Sequence, residues 1–292
     1  MTMVTKNSFA ATVLTLTLLG STLASARALP QQQDTHNETT QQVTVHVLGP
    51  DLNQQHSRHW TFSGPVRLSQ VFDVAQPDAS TYWLQTRLTD HALQQQVLRK
   101  QRQLQQRVKN LAAHYHTHYD DELAKAAQQL AQQIAEWPLV ATYIWGTSRN
   151  DARTDIMQNP LLTVTETNSR GQYWLMLQSA PEHAAIVGLV SQPQFQLTLD
   201  TRKTLRDTVK DVELLAGAKE DTVQVITLDG QHRQYPVAYY NAKADSLAPG
   251  AVVFVGFDDS ELPDEYQTIN QELIELLRFW NPEMKSLWGQ QS

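Results

Sequence analysis

The chain has 292 residues, of which 41% are hydrophobic and 18% are charged, and its mean hydropathy is −0.44. This length suits two modest domains, and the polar balance excludes a protein with many membrane spans. The net charge of −7 argues against a nucleic-acid partner. Because the chain has no cysteine, we expect no disulfide, thiolate metal site, cysteine nucleophile or acylated cysteine anchor.

The first 26 residues have the pattern of a secretory signal peptide. Lys6 precedes an apolar stretch from Phe9 to Leu19, and Ala24-Ser25-Ala26 is a small-residue cleavage pattern. The alternative is a membrane anchor, but the apolar stretch is too short to span a bilayer comfortably. Residues 27–40 are rich in Gln and Thr without an apolar face, which predicts a flexible leader. We therefore expect a soluble protein in the periplasm.

Residues 41–185 predict a first domain that begins with a β-hairpin. Val43, Val45 and Val47 alternate with polar residues, as do Trp60 and Phe62. A short helix is predicted on Leu68, Val71 and Phe72, and a strand on Tyr82, Leu84 and Leu88. Two strands that return to this domain are predicted over 161–165 and 173–177.

Residues 91–137 interrupt this domain with a predicted helical hairpin. Its two apolar stripes are formed by Leu93, Val97, Leu104, Val108, Leu111 and Tyr115, and by Leu123, Ala127, Leu130 and Ile134. Asp120 is a suitable N-cap for the second helix, and Pro138 ends it. An inserted hairpin predicts that both domains stay folded when residues 91–137 are replaced by a short linker.

Residues 186–258 repeat the order of hairpin, helix and strands, which predicts a second domain. A helix is predicted over 204–215, with alternating strands before and after it and a two-residue Asp229-Gly230 turn. One helix across a small mixed sheet is a β-grasp arrangement. An amphipathic C-terminal helix is predicted over 263–281, and we expect its stripe of Tyr266, Ile269, Leu273, Leu276, Leu277 and Trp280 to be buried within the monomer. Burial against partners or a membrane surface is the alternative.

A resemblance rests on Ile186–Val190, Leu205–Val209, Ala216-Gly217-Ala218, Val223–Ile226, Leu247-Ala248-Pro249-Gly250 and Val252–Val255. This run resembles the SLBB (soluble-ligand-binding β-grasp) domain of Wza-type outer-membrane polysaccharide exporters, with Ala251 where those domains usually carry Asp. The whole layout over 41–282 resembles the periplasmic GfcC-like capsule-biosynthesis proteins. The resemblance implies an α+β fold with two tandem β-grasp (SLBB-like) domains, a helical hairpin inserted in the first and an amphipathic C-terminal helix.

A long loop is predicted over 143–159, and its residues Tyr143, Trp145, Arg149 and Arg153 are the candidate ligand site. Aromatic faces stack on sugar rings, and arginine binds carboxylates through two parallel hydrogen bonds. GfcC-like proteins have an arginine that lines a cleft after the helical hairpin, and Arg149 and Arg153 are the nearest matches here. The alternative is two solvated arginines beside Asp151 and Asp155.

No catalytic motif is present, and we expect neither an enzyme nor a cofactor. His114, His116 and His118 have spacing that suits metal ligands, but a solvated polar turn is the simpler interpretation and we predict no metal. The resemblance implies a non-catalytic, monomeric accessory protein of capsule or exopolysaccharide assembly or export. It would bind polysaccharide or an export-machinery component and could associate peripherally with the outer membrane. A polysaccharide-modifying enzyme and a structural scaffold for an exporter are the alternatives.

Overall fold

The described residues are 41–49, 57–200, 202–238 and 246–282 of a computed structural model. Over these residues the chain is a mixed α+β protein with several sheets and six α-helices. The predicted signal peptide (1–26) and leader (27–40) lie outside them. None of the helices in these ranges combines the length and the apolar character that crossing a bilayer requires.

The first half of the chain forms a four-stranded sheet and a two-stranded ladder. Its elements are β1 (Gln42–Leu48), β2 (Arg58–Ser63), β3 (Val66–Arg67), α1 (Leu68–Ala75), β4 (Arg87–Thr89), β5 (Leu161–Leu162) and β6 (Gln172–Met176). The sheet order is β2-β1-β6-β4, in which β1 pairs antiparallel with β2 and parallel with β6, while β3 pairs with β5. The predicted alternation in β1 is observed, because Val43, Val45 and Val47 are buried under the apolar face of α1.

The second half forms a five-stranded sheet with the same pairing logic. Its elements are β7 (His183–Gly188), β8 (Gln194–Thr198), a helix at Leu205–Lys210, β9 (Thr222–Ile226), β10 (His232–Pro236) and β11 (Val252–Val255). The sheet order is β10-β9-β11-β7-β8. As in the first sheet, the first strand β7 pairs antiparallel with its hairpin partner β8 and parallel with the last strand β11.

The helical hairpin consists of α2 (His91–Thr117) and α3 (Asp121–Glu136), which pack on each other. The side chains of Asp90 and Asp120 cap their N-termini by accepting from Leu93 N–H and Leu123 N–H. The buried face of the hairpin shares a core with the second sheet. The side-chain amide of Gln133 exchanges hydrogen bonds of 2.8 and 3.1 Å with the backbone of Gly188 in β7.

The C-terminal segment packs on this same core. Two short 3-10 turns at Asp259–Glu261 and Asp264–Tyr266 precede helix α6 (Ile269–Leu277). The label α5 is given to the six-residue helix of the second half, Leu205–Lys210. Ile269, Leu273, Leu276 and Leu277 are fully buried in the monomer. The expectation that this apolar stripe is covered by the chain itself therefore agrees with the structure.

Several predicted elements have different bounds in the structure. The region 143–159, predicted as a loop, contains helix α4 (Arg149–Thr154) and a 3-10 turn at Ile156–Gln158. The predicted helix over 204–215 ends at Lys210, and the strand predicted between Tyr82 and Leu88 is mostly a 3-10 turn at Trp83–Gln85. The predicted two-residue turn at 229–230 is instead a turn from Thr227 to Gly230, in which Gly230 N–H donates to Thr227 C=O. Only Gly230 of the two predicted turn residues has a positive φ (+73°).

Candidate ligand-binding site

The two predicted arginines meet at one carboxylate on the surface of the first half. Arg149 Nη2 and Arg153 Nη2 donate to Asp73 Oδ1 over 2.8 and 2.5 Å. These hydrogen bonds lower the pKa of Asp73 below its ordinary value. Helix α4 holds both arginines, and the hydroxyl of its N-cap Ser148 donates to the carboxylate of Asp151. The acidic partner of the pair is thus Asp73, which comes from α1, and the pair is already ion-paired at an exposed position.

The two predicted aromatic residues have other partners. The hydroxyl of Tyr143 donates to Asp90 over 2.8 Å, and burial together with this hydrogen bond raises its pKa. The Trp145 ring lies 5.8 Å from the Phe279 ring at a tilt of 35°, and the guanidinium of Arg278 lies 5.3 Å from the centre of the indole ring. The four predicted residues therefore divide among three separate sets of partners, and these contacts do not converge on one ligand position.

A different arginine occupies a small recess between the two sheets. Arg87, at the start of β4, is 2% exposed, and its Nη1 donates to the carbonyls of Leu84 and Thr86 over 3.1 and 3.0 Å. Its Nη2 donates to the carbonyl of Leu228, which follows β9, over 2.5 Å. Burial lowers the pKa of Arg87 to about 10, and Asp229 opposes this decrease. The guanidinium therefore remains charged at neutral pH.

This recess, which we call the Arg87 recess, has a volume of about 40 Å³. Its lining comes from the start of β4, both strands of the β7–β8 hairpin, the approach to β11 and the segment after α6; the residues are Gln85, Arg87, Pro181, His183, Ala184, Gln196, Leu228, Gly250, Ala251, Trp280, Asn281 and Pro282. The lining includes two buried polar atoms, Gln85 Oε1 and His183 Nδ1, that have no hydrogen-bond partner among the described residues. Since buried polar atoms are normally satisfied, these two atoms are candidates for hydrogen bonds to a ligand or to solvent.

A larger groove borders the recess. This Tyr82 groove has a volume of about 370 Å³, and it shares Leu228 and Ala251 with the recess; its other lining residues are Tyr82, Leu84, Val225, Thr227, Asp229, Gln231, Arg233, Tyr235, Ala248 and Pro249. Tyr82 and Tyr235 supply aromatic surface, while Gln231 and Arg233 supply hydrogen-bond donors. Such a mixture of aromatic and polar side chains is suited to a carbohydrate.

Two protein-family models match the chain, one before and one after strand β6. The model described as "Capsule biosynthesis GfcC, N-terminal" matches residues 40–142, and the one described as "Capsule biosynthesis GfcC C-terminal" matches residues 194–280. The chain belongs to the GfcC capsule-biosynthesis family. This membership supports a role in capsule assembly.

A curated relative extends along most of this GfcC-family chain. The uncharacterized protein YjbG of Escherichia coli strain K12 is 27% identical over 210 residues, which cover 70% of this chain and 79% of YjbG. Within the chain, Gln85 and Arg87 fall in the N-terminal family match, while Gln196, Leu228 and Trp280 fall in the C-terminal match. The Arg87 recess is therefore built jointly by both matched segments of the GfcC-family chain.

The sequence contains only a weak signal for the Arg87 recess. Arg87 interrupts the stretch Thr86-Arg87-Leu88-Thr89, where a charged residue lies in a short strand. A buried charge in a strand requires partners, which could have singled it out. Its partner Leu228 is 141 positions away, however, and no local pattern connects the two residues.

The histidines at the tip of the hairpin are engaged with near neighbours. The His114 and His118 rings stack 4.2 Å apart, and His116 Nδ1 lies 3.1 Å from Asp121 Oδ1. His118 Nδ1 lies 2.8 Å from the carbonyl of His114. Across the residues for which the structure gives positions, no group of three or more His, Asp or Glu side chains has an arrangement that could hold a metal ion.

Proposed function

We propose that this GfcC-family protein is a non-catalytic accessory of capsule or exopolysaccharide assembly or export, which acts by binding polysaccharide or a component of the export machinery. Membership of the family supports the capsule role. We further propose that each of the two sheets, with its helix, is a β-grasp unit and that the second is SLBB-like. The shared pairing of a first strand with its hairpin partner and with a parallel last strand supports this topology.

The Arg87 recess is the observation that carries the binding role. Three backbone carbonyls hold its guanidinium in place, so the positive charge is preorganised before any ligand arrives. The described lining contains no Asp or Glu, so the recess offers no carboxylate pair for general acid–base chemistry. This arrangement favours binding over hydrolysis.

We place the protein in the periplasm, as a monomer that could associate peripherally with the outer membrane. The pattern of Lys6, the apolar stretch and the small-residue cleavage pattern supports export. The burial of the α6 stripe supports a monomer, because this apolar surface is already covered by the chain itself.

A deletion strain tests the proposed function. Removing the gene from a capsule-producing host should lower surface polysaccharide, and a plasmid copy should restore it. Colorimetric measurement of polysaccharide on the cell surface and in the periplasm would locate the affected step. Purified protein incubated with the polymer should generate no new reducing ends. Unchanged surface polysaccharide in the deletion strain would contradict the capsule role, and new reducing ends would replace the binding role with an enzymatic one.

A further inference from the structure

The Arg87 guanidinium has N–H groups without an acceptor among the described residues. Of its five N–H groups, the described residues accept from three, through the carbonyls of Leu84, Thr86 and Leu228. The remaining donors are on Nε and Nη2. No carboxylate of the described residues forms an ion pair with this charge, and Asp229 acts on it only from a longer distance. A buried guanidinium with two unmatched N–H groups suits a carboxylate that accepts both.

The neighbouring polar atoms select more than a charge. Gln85 is 5% exposed, and its Oε1 accepts no hydrogen bond from the described residues. An amide oxygen is an acceptor only, so a second carboxylate oxygen against it would be repelled, whereas a hydroxyl would donate to it. The unpartnered Nδ1 of His183 offers a second position for a hydroxyl. The recess therefore suits a carboxylate that carries hydroxyl groups close by.

We propose that the Arg87 recess binds the carboxylate of an acidic sugar of the uronic-acid class, with the adjoining sugar residues in the Tyr82 groove. This inference rests on the proposed function and names the chemical class of its ligand. The volume of about 40 Å³ accommodates a carboxylate-sized group rather than a whole sugar ring. The groove of about 370 Å³ provides the room and the aromatic surface that a ring requires.

A free peptide carboxylate is the competing occupant, and the unpartnered acceptor Gln85 Oε1 disfavours it. A peptide C-terminus has no hydroxyl next to its carboxylate, so Gln85 Oε1 would stay unsatisfied when it binds. A uronic acid carries its C4 hydroxyl next to the carboxylate-bearing carbon, and this hydroxyl can donate to Gln85 Oε1. Since an unsatisfied buried acceptor weakens binding, the sugar acid should bind more tightly than either acetate or a peptide carboxylate.

Ligand-detected and protein-detected NMR titrations of the mature protein test this specificity. The probes are methyl β-glucuronide, methyl β-glucoside, sodium acetate and an N-acetylated dipeptide with a free carboxylate. We expect the glucuronide to bind roughly tenfold more tightly than the glucoside, because only the glucuronide pairs with the guanidinium. Acetate and the dipeptide should bind more weakly than the glucuronide. Tighter binding of the dipeptide, or equal binding of the two glycosides, would overturn the proposal.

A matched pair of substitutions on β8 tests the location. Gln196 lines the recess and Gln194 does not, although both are exposed on the same strand. Gln196→Glu places a negative charge at the recess and should weaken glucuronide binding by roughly tenfold, while Gln194→Glu should change it little. Both substitutions are at exposed positions and should leave the melting temperature unchanged. Equal effects of the two substitutions would overturn the assignment of the site.

Arg87→Lys provides a second route, since it retains the charge but not the planar pair of donors. We expect it to lower the preference for glucuronide over glucoside without abolishing it, because the charge still attracts the carboxylate but the two parallel hydrogen bonds are lost. Its melting temperature reports separately on the carbonyl contacts that Arg87 also makes. If the deletion strain loses capsule while no glycoside binds the wild-type protein, the acidic-sugar inference fails and the capsule role stands. If capsule is unaffected while glucuronide binds at the recess, the proposed function fails instead.

Discussion

The first sheet and the helical hairpin are neighbours in sequence but belong to different hydrophobic cores. The core of the first sheet is closed by its own strands and α1, with Val45, Leu68, Phe72 and Leu175 at its centre. The hairpin, which leaves this sheet after β4, instead joins the core of the second sheet and α6. The difference shows that a segment inserted among the strands of one sheet can pack on the core of another.

Polar contacts reinforce the attachment of the hairpin to the second half. Arg107 of α2 forms an ion pair with Glu272 of α6, and the hydroxyl of Tyr115 donates to the carbonyl of Glu261 over 2.8 Å. Gly217 approaches the hairpin so closely that a Cβ there would lie 2.5 Å from Leu123 Cδ2. The second core therefore includes the hairpin, which lies between strands of the first sheet in sequence, whereas the first core includes none of the described hairpin residues.

Removal of the hairpin is the largest test of this comparison. Replacing residues 91–137 by a Gly/Ser linker should expose the face of the second sheet that α3 covers, contrary to the tolerance expected from the insertion alone. Each large apolar side chain exposed costs roughly 1.5–3 kcal/mol, and several together exceed the ~5–15 kcal/mol that stabilises a typical domain. Circular dichroism with urea should show that the second half no longer unfolds cooperatively.

The matched control lengthens the hairpin tip without removing its packing. Tyr119 is 94% exposed between the two helices, so a Gly-Ser insertion after it should be tolerated. Intact cooperative unfolding of both halves in the linker variant would show that the second core does not require the hairpin.

Leu273→Asp should have the next largest effect. Leu273 is fully buried in α6, so the substitution creates a cavity and buries a charge. We expect the free energy of unfolding to fall by roughly 4–5 kcal/mol while the protein remains monomeric. Urea unfolding and light scattering measure the two quantities, and Gln271→Asp, at an exposed position of the same helix, is the control. An unchanged unfolding free energy with loss of an oligomer would instead place the stripe in an intermolecular contact.

Gln133→Ala should have a smaller effect on the same interface. The Gln133 amide bonds both the N–H and the C=O of Gly188, and truncation leaves the N–H buried without this partner, while the C=O still accepts from Val190 N–H. The expected loss of stability is roughly 1–3 kcal/mol. Gln132→Ala, at an exposed neighbouring position, should stay within about 0.5 kcal/mol of the wild type in urea unfolding. A loss as small as that of the control would mean that solvent replaces the amide.

The pH dependence of the Arg107–Glu272 pair should be the smallest effect. Desolvation raises the pKa of Glu272, but hydrogen bonds from Thr268 and Arg107 outweigh it, so the pKa lies below its ordinary value of 4.5. A carboxyl whose pKa is lower in the folded protein contributes stability above its unfolded pKa and loses it as the pH falls through the folded pKa. Urea unfolding between neutral and acidic pH should therefore show a steeper decline for the wild type than for Glu272→Gln. Parallel declines would show that solvent screens the pair completely.

Several elements could be predicted from the sequence because local patterns specify them. The alternation of Val43, Val45 and Val47 predicts a half-buried strand, and the two apolar stripes of 91–137 predict two packed helices. The boundaries of α5 and α6 were predicted too long, because the ends of short helices depend on capping and tertiary contacts. The signal peptide and the positions of the domain boundaries stay predictions.

The candidate site shows the opposite balance. Aromatic and arginine residues close together in sequence indicated 143–153, but Asp73 and Arg278, which contact three of these side chains, come from distant elements. The Arg87 recess combines residues from 85 to 282. The local sequence does not show that Arg87 is buried. Its guanidinium is held in place as a donor only because the fold brings the carbonyl of Leu228 next to it.

The sequence by itself determined the classes of most elements, the apolar faces of the helices and the resemblance to the capsule-biosynthesis proteins. These properties follow from periods of two and about 3.6 residues that act over short distances. Only the tertiary structure decided which sheet the hairpin covers and which arginine lies buried between the sheets. Both depend on side chains such as Gln133 and Arg87 meeting backbone groups tens to more than a hundred positions away, and burial makes those meetings obligatory because unpaired polar groups are costly there.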